Sequence, residues 1–431
     1  MKYQIKCIGC GKAYPEDSYI TKCKNNCNAV LRTEYKDKKL KVDEKYNGLW
    51  KYISWLPINN VSKKLLDNTS SFTNQIGGKF AEYLGLKNLI ISFNTYKGMR
   101  TGTFKDIEAE LSFQRLLNCR DFNKPFVLSS DGNIATSFTY YADIVKHPVV
   151  ICVTEEARLS RIWSFRKSNP YVYLITMEDN RDYSDAIRLS KEIGATGHCI
   201  IEGGALNVAR RDGVGTILLD ATRLLGKMPD HYFQALGSGP GAIAIYETAM
   251  RLEQDGRYGK KLPRIHASQN APFVPMYEAW QRKSREINEK YQSESAKKMI
   301  KKVYAHVLTN RFPAYSIKGG VFDALKDTNG EFYKVTNEEA KKAQAKFKKL
   351  EGYTLAPPAA VTAASLIKAV KNETVENDDY ILINVTGGIK NKMDKNKYKI
   401  KPRVILGKNY DLDDIVRRIC KWKKKFSIPK K

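Results

Sequence analysis

Short apolar runs alternate with amphipathic segments along the chain from about residue 85. The runs predict strands at Leu89–Phe93, Phe126–Ser129, Val149–Val153, Val172–Ile175, Thr216–Leu219 and Tyr232–Leu236. Between them, apolar residues recur at spacings of three and four, which predicts helices such as Phe104–Leu117 and Asp182–Ile193. Such alternation predicts βαβ units, and therefore an α/β fold with a mostly parallel sheet covered by helices.

The same pattern continues late in the chain. A clear helix is predicted over Ala359–Val370, and a strand over Tyr380–Val385 follows it. The charged stretch Lys283–Lys302 predicts an exposed helix with a solvated face.

Four of the eight cysteines cluster near the start of the chain, as Cys7-x2-Cys10 and Cys23-x3-Cys27. Two close pairs at this separation suit a tetrahedral zinc site of four thiolates, whose role would be structural because no coordination position stays open. We therefore expect a zinc-ribbon-like knuckle over residues 1–40. The alternative is a knuckle held by packing alone, in which the thiols bind no metal.

The chain carries 74 lysines and arginines against 46 acidic residues, a formal net charge of +28. The excess is spread along the chain, with a denser region from Lys390 to Lys431, and no basic-aromatic interleaving is evident. This favours a solvated, lysine-rich surface that attracts small anions, so no nucleic-acid partner is expected. The rival interpretation is a zinc-ribbon protein that binds nucleic acid through its basic tail, residues 417–431.

The sequence also bears on location. It contains no apolar stretch of the roughly 20 residues needed to span a bilayer, and its start, MKYQIKCIGC, lacks the pattern of a signal peptide. We expect a cytoplasmic protein with no membrane partner.

Four loops that follow predicted strands contain unusual chemistry: TGTFKD at 101–106, SSDGN at 129–133, GSGPG at 237–241 and VTGG at 385–388. In open parallel sheets, ligands bind at the carboxyl ends of the strands. The glycines and serine of GSGPG, at a predicted helix start, suit a phosphate group. Together with a lysine at a strand end, Lys105, they suggest pyridoxal phosphate, an aldehyde that lysine binds covalently.

Nearly the whole chain resembles the threonine synthase group of fold-type II pyridoxal-phosphate enzymes, and within it the cysteate synthase family. The resemblance is carried by the cysteine knuckle, YNGLWKYISWLP at 46–57, the four loops, IEGGALNVARRDG at 201–213, SQNAPFVPMYEAW at 268–280 and LTNRFPAYSIKGGVFDAL at 308–325. Threonine synthases typically continue the lysine motif as Phe-Lys-Asp-Arg-Gly, whereas this chain has Ile107 and Glu108 after Asp106. The resemblance implies two open, twisted, mostly parallel sheets covered by helices, as in the tryptophan synthase β subunit.

The resemblance also implies a domain division and a set of roles. Residues 41–431 would form the catalytic core, with about 100–230 as a smaller mobile domain and the rest as a larger cofactor domain. Lys105 would hold the cofactor covalently and act as the base that removes the substrate Cα proton. The other cofactor-binding residues would be Asn133, Gly237, Ser238, Gly239, Pro240, Gly241 and Thr386.

The remaining assignments concern the substrates. Ser129, Ser130 and Gly132 would receive the substrate carboxylate, although Ser130 could equally be a helix cap. Arg100 is the first candidate to bind the anionic groups, and Arg210 and Arg211 are further candidates.

The reaction implied by the resemblance is a β-replacement that converts O-phospho-L-serine and sulfite to L-cysteate and phosphate, within coenzyme M synthesis in methanogenic archaea. The alternative is threonine synthase, or another β- or γ-replacement with a different acceptor. Enzymes of this size and class commonly self-associate, so a homo-oligomer is expected.

Overall fold

The computed structural model describes residues 2–178, 181–389, 397–407 and 409–426. These residues form strands β1 (Tyr3–Cys7), β2 (Ala13–Tyr14), β3 (Leu31–Tyr35), β4 (Thr73–Ile76), β5 (Asn88–Phe93), β6 (Phe126–Ser129), β7 (Val149–Thr154), β8 (Val172–Met177), β9 (Ile200–Ile201), β10 (His231–Ala235), β11 (Arg264–Asn270), β12 (Glu331–Val335), β13 (Tyr380–Val385) and β14 (Val404–Leu406).

The α-helices of the described residues are α1 (Lys63–Leu66), α2 (Lys79–Leu84), α3 (Lys105–Asn118), α4 (Asn133–Val145), α5 (Glu155–Ser160), α6 (Tyr183–Ala195), α7 (Val208–Leu225), α8 (Pro240–Asp255), α9 (Pro275–Gln281), α10 (Ala296–Ile300), α11 (Val321–Asp327), α12 (Asn337–Glu351), α13 (Pro357–Lys371) and α14 (Leu412–Lys423). Short 3-10 helices lie at Gly48–Trp55, Gly204–Leu206, Glu289–Tyr291 and His306–Leu308. Within the described ranges, no helix has the length and apolar character needed to cross a membrane.

The larger sheet has six strands in the order β12-β11-β10-β13-β5-β4. Its strands are parallel except β4, which pairs antiparallel with β5 at the edge. The central strands are apolar on both faces because helices cover both sides, which is why they appear in the sequence as continuous apolar runs.

The smaller sheet has five parallel strands in the order β14-β8-β7-β6-β9. Strand β14 comes from outside the predicted 100–230 range, and α14 follows it. Helix α14 buries Ile415, Ile419 and Trp422 in the core on one face of this sheet. The described part of the basic tail is therefore a packed helix, whereas residues 390–396, 408 and 427–431 of the predicted basic region lie outside the described residues.

The N-terminal unit is a three-stranded antiparallel sheet in the order β2-β1-β3. Alternate side chains of β1 are buried, and Tyr3 and Ile5 belong to the same apolar core as Trp50 and helices α3, α7 and α8. The hydroxyl of Tyr35 also donates to Asp212 on α7 at 2.8 Å. The knuckle thus shares its core with the rest of the chain, and the domain boundaries themselves remain a prediction.

The predicted strand at Thr216–Leu219 is wrong, because these residues lie inside α7. Asn207 begins that helix by accepting a hydrogen bond from the Ala209 N–H group, and Gly226 ends it in the left-handed region with φ of 71°. The helix is buried on nearly all sides, so its apolar run cannot be told from a buried strand by periodicity alone.

The predicted long helix at Lys283–Lys302 is also wrong, because only Glu289–Tyr291 and Ala296–Ile300 are helical there. Lys283 has a φ of 53° and ends the preceding helix. Polar side chains then bind the local backbone, as when Asn288 accepts from the Lys290 N–H group at 3.0 Å. Such local bonds compete with a continuous helix.

Candidate active site

Three of the four predicted loops meet because their strands are neighbours in the larger sheet. Strands β10, β13 and β5 lie side by side and parallel, so their carboxyl ends share one edge. The loops that follow are Gly237–Gly241, Val385–Gly388 and Thr101–Asp106, and the fourth loop, Ser129–Asn133, follows β6 of the smaller sheet. A cavity of about 900 Å³ lies between the two sheets and is lined by residues of all four loops.

The loop before Lys105 is held by a buried carboxylate and by its neighbour loop. Asp106 accepts hydrogen bonds from the Thr101 N–H group at 2.7 Å, the Thr101 hydroxyl at 2.5 Å and the Ser137 hydroxyl at 2.7 Å. Burial raises the pKa of Asp106 to about 6, although these hydrogen bonds oppose the rise. The Phe104 N–H group donates to the Thr386 carbonyl at 3.1 Å. Lys105 is therefore placed at the start of α3, beside Thr386.

The Lys105 side chain is only 19% exposed and lies in the cavity wall. Its Nζ is 2.5 Å from Oε1 of Glu108 and 4.1 Å from the centre of the Phe104 ring. Burial lowers the pKa of Lys105 below its ordinary value, and the Glu108 carboxylate opposes that effect. A buried amine with a lowered pKa is suited both to attack an aldehyde and to accept a proton near neutral pH.

The glycine loop 237–241 leads from β10 into α8, as predicted. Gly239 has a φ of 93°, and an added Cβ there would lie 2.4 Å from a Val321 methyl group, so only glycine fits. Among the described residues, no acceptor receives the N–H groups of Ser238, Gly239 and Gly241. These unpaired donors at the start of a 16-residue helix fit a phosphate group.

Asn310 is part of this site although the sequence did not point to it. Its Nδ2 donates to the Ser238 hydroxyl at 2.6 Å, and both residues line the cavity. The contact spans 72 positions of the chain, so it depends on the tertiary fold.

The loop Ser129–Asn133 lines the cavity, but part of its hydrogen-bonding capacity is used internally. The Ser130 hydroxyl accepts from the N–H groups of Gly132 at 3.0 Å and Ala135 at 2.9 Å, so it caps α4. The Ser130 N–H group donates to the Cys152 carbonyl. Among the described residues, no acceptor receives the N–H groups of Asp131 and Asn133, so these two donors can bind a ligand.

The predicted arginines are distributed differently. Arg100 is exposed, does not line this cavity and donates to the Asn68 carbonyl at 3.3 Å. Arg211 is fully buried and pairs with Glu247 at 2.9 Å, also away from the cavity. Arg210 does line the cavity, but it is paired with Glu202 and Glu108. The cavity wall instead includes four lysines besides Lys105: Lys22, Lys24, Lys124 and Lys191.

The four predicted zinc ligands come together at the N-terminus. The Sγ atoms of Cys7, Cys10, Cys23 and Cys27 all lie within 4.8 Å of one another, and those of Cys10 and Cys23 are 3.6 Å apart. Zn–S bonds of about 2.3 Å in a tetrahedron give S···S distances of ~3.8 Å. The Tyr14 hydroxyl donates to Cys23 Sγ at 3.3 Å and lowers the pKa of that thiol to about 6, which favours the thiolate. The set fits a zinc ion.

The knuckle also forms part of the cavity wall. Tyr19, Ile20, Thr21, Lys22 and Lys24 line the cavity. Opposite them, Gly203 has a φ of 100°, and a Cβ there would lie 2.4 Å from the Thr21 methyl group. The absence of a side chain at Gly203 therefore allows the knuckle to approach the catalytic body closely.

The fold and the site together define a pyridoxal-phosphate-dependent enzyme. A buried lysine and a set of unpaired N–H groups face one cavity, which fits the aldehyde and phosphate of that cofactor. Residues 93–387 match the family model described as "Pyridoxal-phosphate dependent enzyme". Maize serine racemase has a similar fold, with a TM-score of 0.53 at 13% identity over 82% of this chain and 93% of that one.

Curated relatives narrow the class. The chain is 43% identical to the cysteate synthase of Methanosarcina barkeri over 417 residues, which cover 95% of this chain and 98% of the relative. It is 42% identical to the cysteate synthase of Methanosarcina acetivorans over 410 residues, with 94% and 96% coverage. The chain therefore belongs to the cysteate synthase family of pyridoxal-phosphate enzymes, as the sequence motifs indicated.

Proposed function

We propose that this enzyme replaces the phosphate of O-phospho-L-serine with sulfite, forming L-cysteate and inorganic phosphate. The observation that carries the proposal is one cavity lined by both Lys105 and the unpaired N–H donors of the glycine loop, in a chain whose relatives are named cysteate synthase. When bound, pyridoxal phosphate would supply the electron sink that lets a Cα–H bond and then the Cβ–O bond of phosphoserine break.

We assign the cofactor contacts to residues of the four loops. Lys105 would hold the aldehyde carbon, and the N–H groups of Ser238, Gly239 and Gly241 would hold the phosphate. Pro240 has no N–H group, so it shapes the turn without donating. Asn133 and Thr386 also line the cavity and would contact the ring.

The chain's own residues then handle the proton and the anions. The Lys105 amine would take the Cα proton, because burial lowers its pKa and so disfavours its charged form. The unpaired N–H groups of Asp131 and Asn133 would bind the substrate carboxylate in place of those of Ser130 and Gly132. Both substrates are anions, and we assign their attraction to Lys22, Lys24 and Lys191 rather than to Arg100.

The test is to incubate the purified enzyme with phosphoserine and sulfite, and to separate the products by ion chromatography. We expect cysteate and phosphate in equal amounts. Phosphohomoserine with water is the parallel reaction that a threonine synthase would catalyse. Threonine formation without cysteate would contradict the proposal.

A further inference from the structure

Glu108 lies beside the Lys105 amine, although it is not among the site residues predicted from the sequence. It follows Lys105 by three positions on α3, so the two side chains share one face of the helix. The Glu108 side chain is 0% exposed, and its Oε1 is 2.5 Å from the Lys105 Nζ. A fully buried carboxylate needs a partner for each oxygen, because an unpaired one is strongly disfavoured.

Arg210 on α7 provides the second partner. Its Nη1 is 3.1 Å from Oε2 of Glu108, and its Nε is 2.7 Å from Oε1 of Glu202. Glu202 in turn accepts from the Gly204 N–H group at 3.0 Å and from the Asn207 amide at 2.6 Å. Arg210 therefore holds Oε2 of Glu108 while Oε1 stays in contact with Lys105.

The charges in this cluster come from three elements. Lys105 and Glu108 lie on α3, Glu202 follows β9, and Arg210 lies on α7, with the Tyr183 hydroxyl of α6 facing Arg210. With Lys105 protonated, the four ionised groups sum to zero. Without that proton, two carboxylates face one guanidinium, and the unbalanced buried charge favours return of the proton.

We propose that Glu108 is a positioning residue for Lys105: it holds the amine as a lysine–carboxylate ion pair whenever Lys105 is not covalently engaged, while Arg210 fixes Glu108 in place. This rests on the role assigned to Lys105 in the proposed function. The proton removed from Cα stays on Nζ next to Oε1, and none is transferred to Glu108. Arg210 also pairs with the Glu108 carboxylate, so it weakens the attraction of Glu108 for the proton on Lys105.

Glu108 favours the protonated Lys105 amine and Arg210 disfavours it. These opposite effects supply the test. The full chain, stripped of cofactor, is labelled with trace acetic anhydride at a series of pH values, and Lys105 labelling is measured by mass spectrometry. We expect Glu108→Gln to move the labelling midpoint to lower pH, with the amine on the order of tenfold more reactive at pH 7. Arg210→Gln should move the midpoint to higher pH.

The matched control is Glu338→Gln, which removes a carboxylate from an exposed pair with Lys342 on α12. It should leave Lys105 labelling unchanged. Glu108→Asp keeps the charge and should restore most of the wild-type midpoint, whereas a merely structural role would not distinguish aspartate from glutamine. If Glu108→Gln does not fold, as judged by circular dichroism, Arg210→Gln and Glu108→Asp decide the outcome.

Midpoints that move in the same direction in the Glu108 and Arg210 variants, or that stay at the wild-type pH, would overturn the inference. The test is independent of the reaction. Shifted midpoints without cysteate formation would refute the proposed function and leave the role of Glu108 intact. Cysteate formation with unshifted midpoints would refute only the role of Glu108.

Discussion

The two walls of the cavity are built in different ways. The wall that includes Lys105 belongs to the larger sheet, and its loops are joined by backbone hydrogen bonds, from Phe104 to Thr386 at 3.1 Å and from Gly388 to Gly102 at 3.3 Å. The opposite wall includes Tyr19, Ile20, Thr21, Lys22 and Lys24 of the knuckle, on either side of the sulfur ligand candidate Cys23. Backbone hydrogen bonds between loops of the larger sheet thus hold the reacting groups. The wall formed by the knuckle is instead next to a cluster of four sulfurs.

The largest expected effect comes from the reacting wall. Lys105→Ala removes the amine that we assign to cofactor attachment and proton transfer, so kcat for cysteate formation should fall by at least ~100-fold. Lys87→Ala, an exposed lysine just before β5, is the matched control and should retain activity. Wild-type turnover by Lys105→Ala would remove the distinction between the walls.

The second prediction concerns the knuckle. Cys10→Ala, or treatment with a zinc chelator, should lower the thermal unfolding midpoint because a structural metal contributes directly to folding. Since residues 19–24 then lose their support, KM for both anions should rise several-fold while kcat changes little. Cys420→Ala lies outside the sulfur cluster and serves as the control. A fall in kcat with unchanged KM would contradict separate roles for the two walls.

The third prediction concerns the buried carboxylates of α3, the helix that begins at Lys105, and their effect on how stability depends on pH. Burial raises the pKa of Glu110 from 4.5 to about 8, despite hydrogen bonds from Trp50 at 2.8 Å and Ser70 at 3.0 Å. Between these pH values the folded chain binds more protons than the unfolded chain, so the free energy of unfolding falls as pH rises from about 4.5 to 8.

Glu110→Gln should make this fall shallower in urea unfolding curves measured across that range. Asp106, with its pKa raised to about 6, titrates with the same sign and remains in the variant. The exposed Glu338→Gln should keep the wild-type slope. An equally steep slope in Glu110→Gln would show that Glu110 is ionised in the folded chain at ordinary pH.

The smallest expected effect concerns positive charge at the cavity wall formed by the knuckle. Lys22 and Lys24 are exposed at the cavity wall, and burial and the neighbouring Lys22 lower the pKa of Lys191. Replacing Lys22 and Lys24 by glutamine should raise KM for phosphoserine about two- to fivefold at low salt, with the difference vanishing at high salt. Lys342→Gln on α12 is the control. A salt-independent change would contradict electrostatic attraction.

Much of the fold could be predicted because the buried strands are short apolar runs followed by glycine-rich loops. The runs at Leu89–Phe93, Phe126–Ser129 and Tyr380–Val385 correspond to β5, β6 and β13. The run at Thr216–Leu219 failed because a helix buried on all sides has the same local composition. The cap residue Asn207 and the terminal Gly226 were the signals that identify it as helix.

The candidate site divides in the same way. The sequence placed Lys105 and the glycine loop, because strand ends and helix starts are local features. It did not indicate Asn310, whose partner Ser238 is 72 positions away, and it named Arg210 as an anion-binding candidate and not as the partner of Glu108. Arg100 was predicted from its proximity to Lys105 in the sequence, but its side chain is exposed outside the cavity, where it contacts Asn68.

The most direct test of the central claim is borohydride reduction of the purified, cofactor-loaded enzyme, followed by peptide mass mapping. We expect the loss of the visible absorption band and a single pyridoxyl-phosphate adduct on the peptide that contains Lys105. An adduct on another lysine, or no adduct on any peptide, would contradict the assignment of this cavity as the active site.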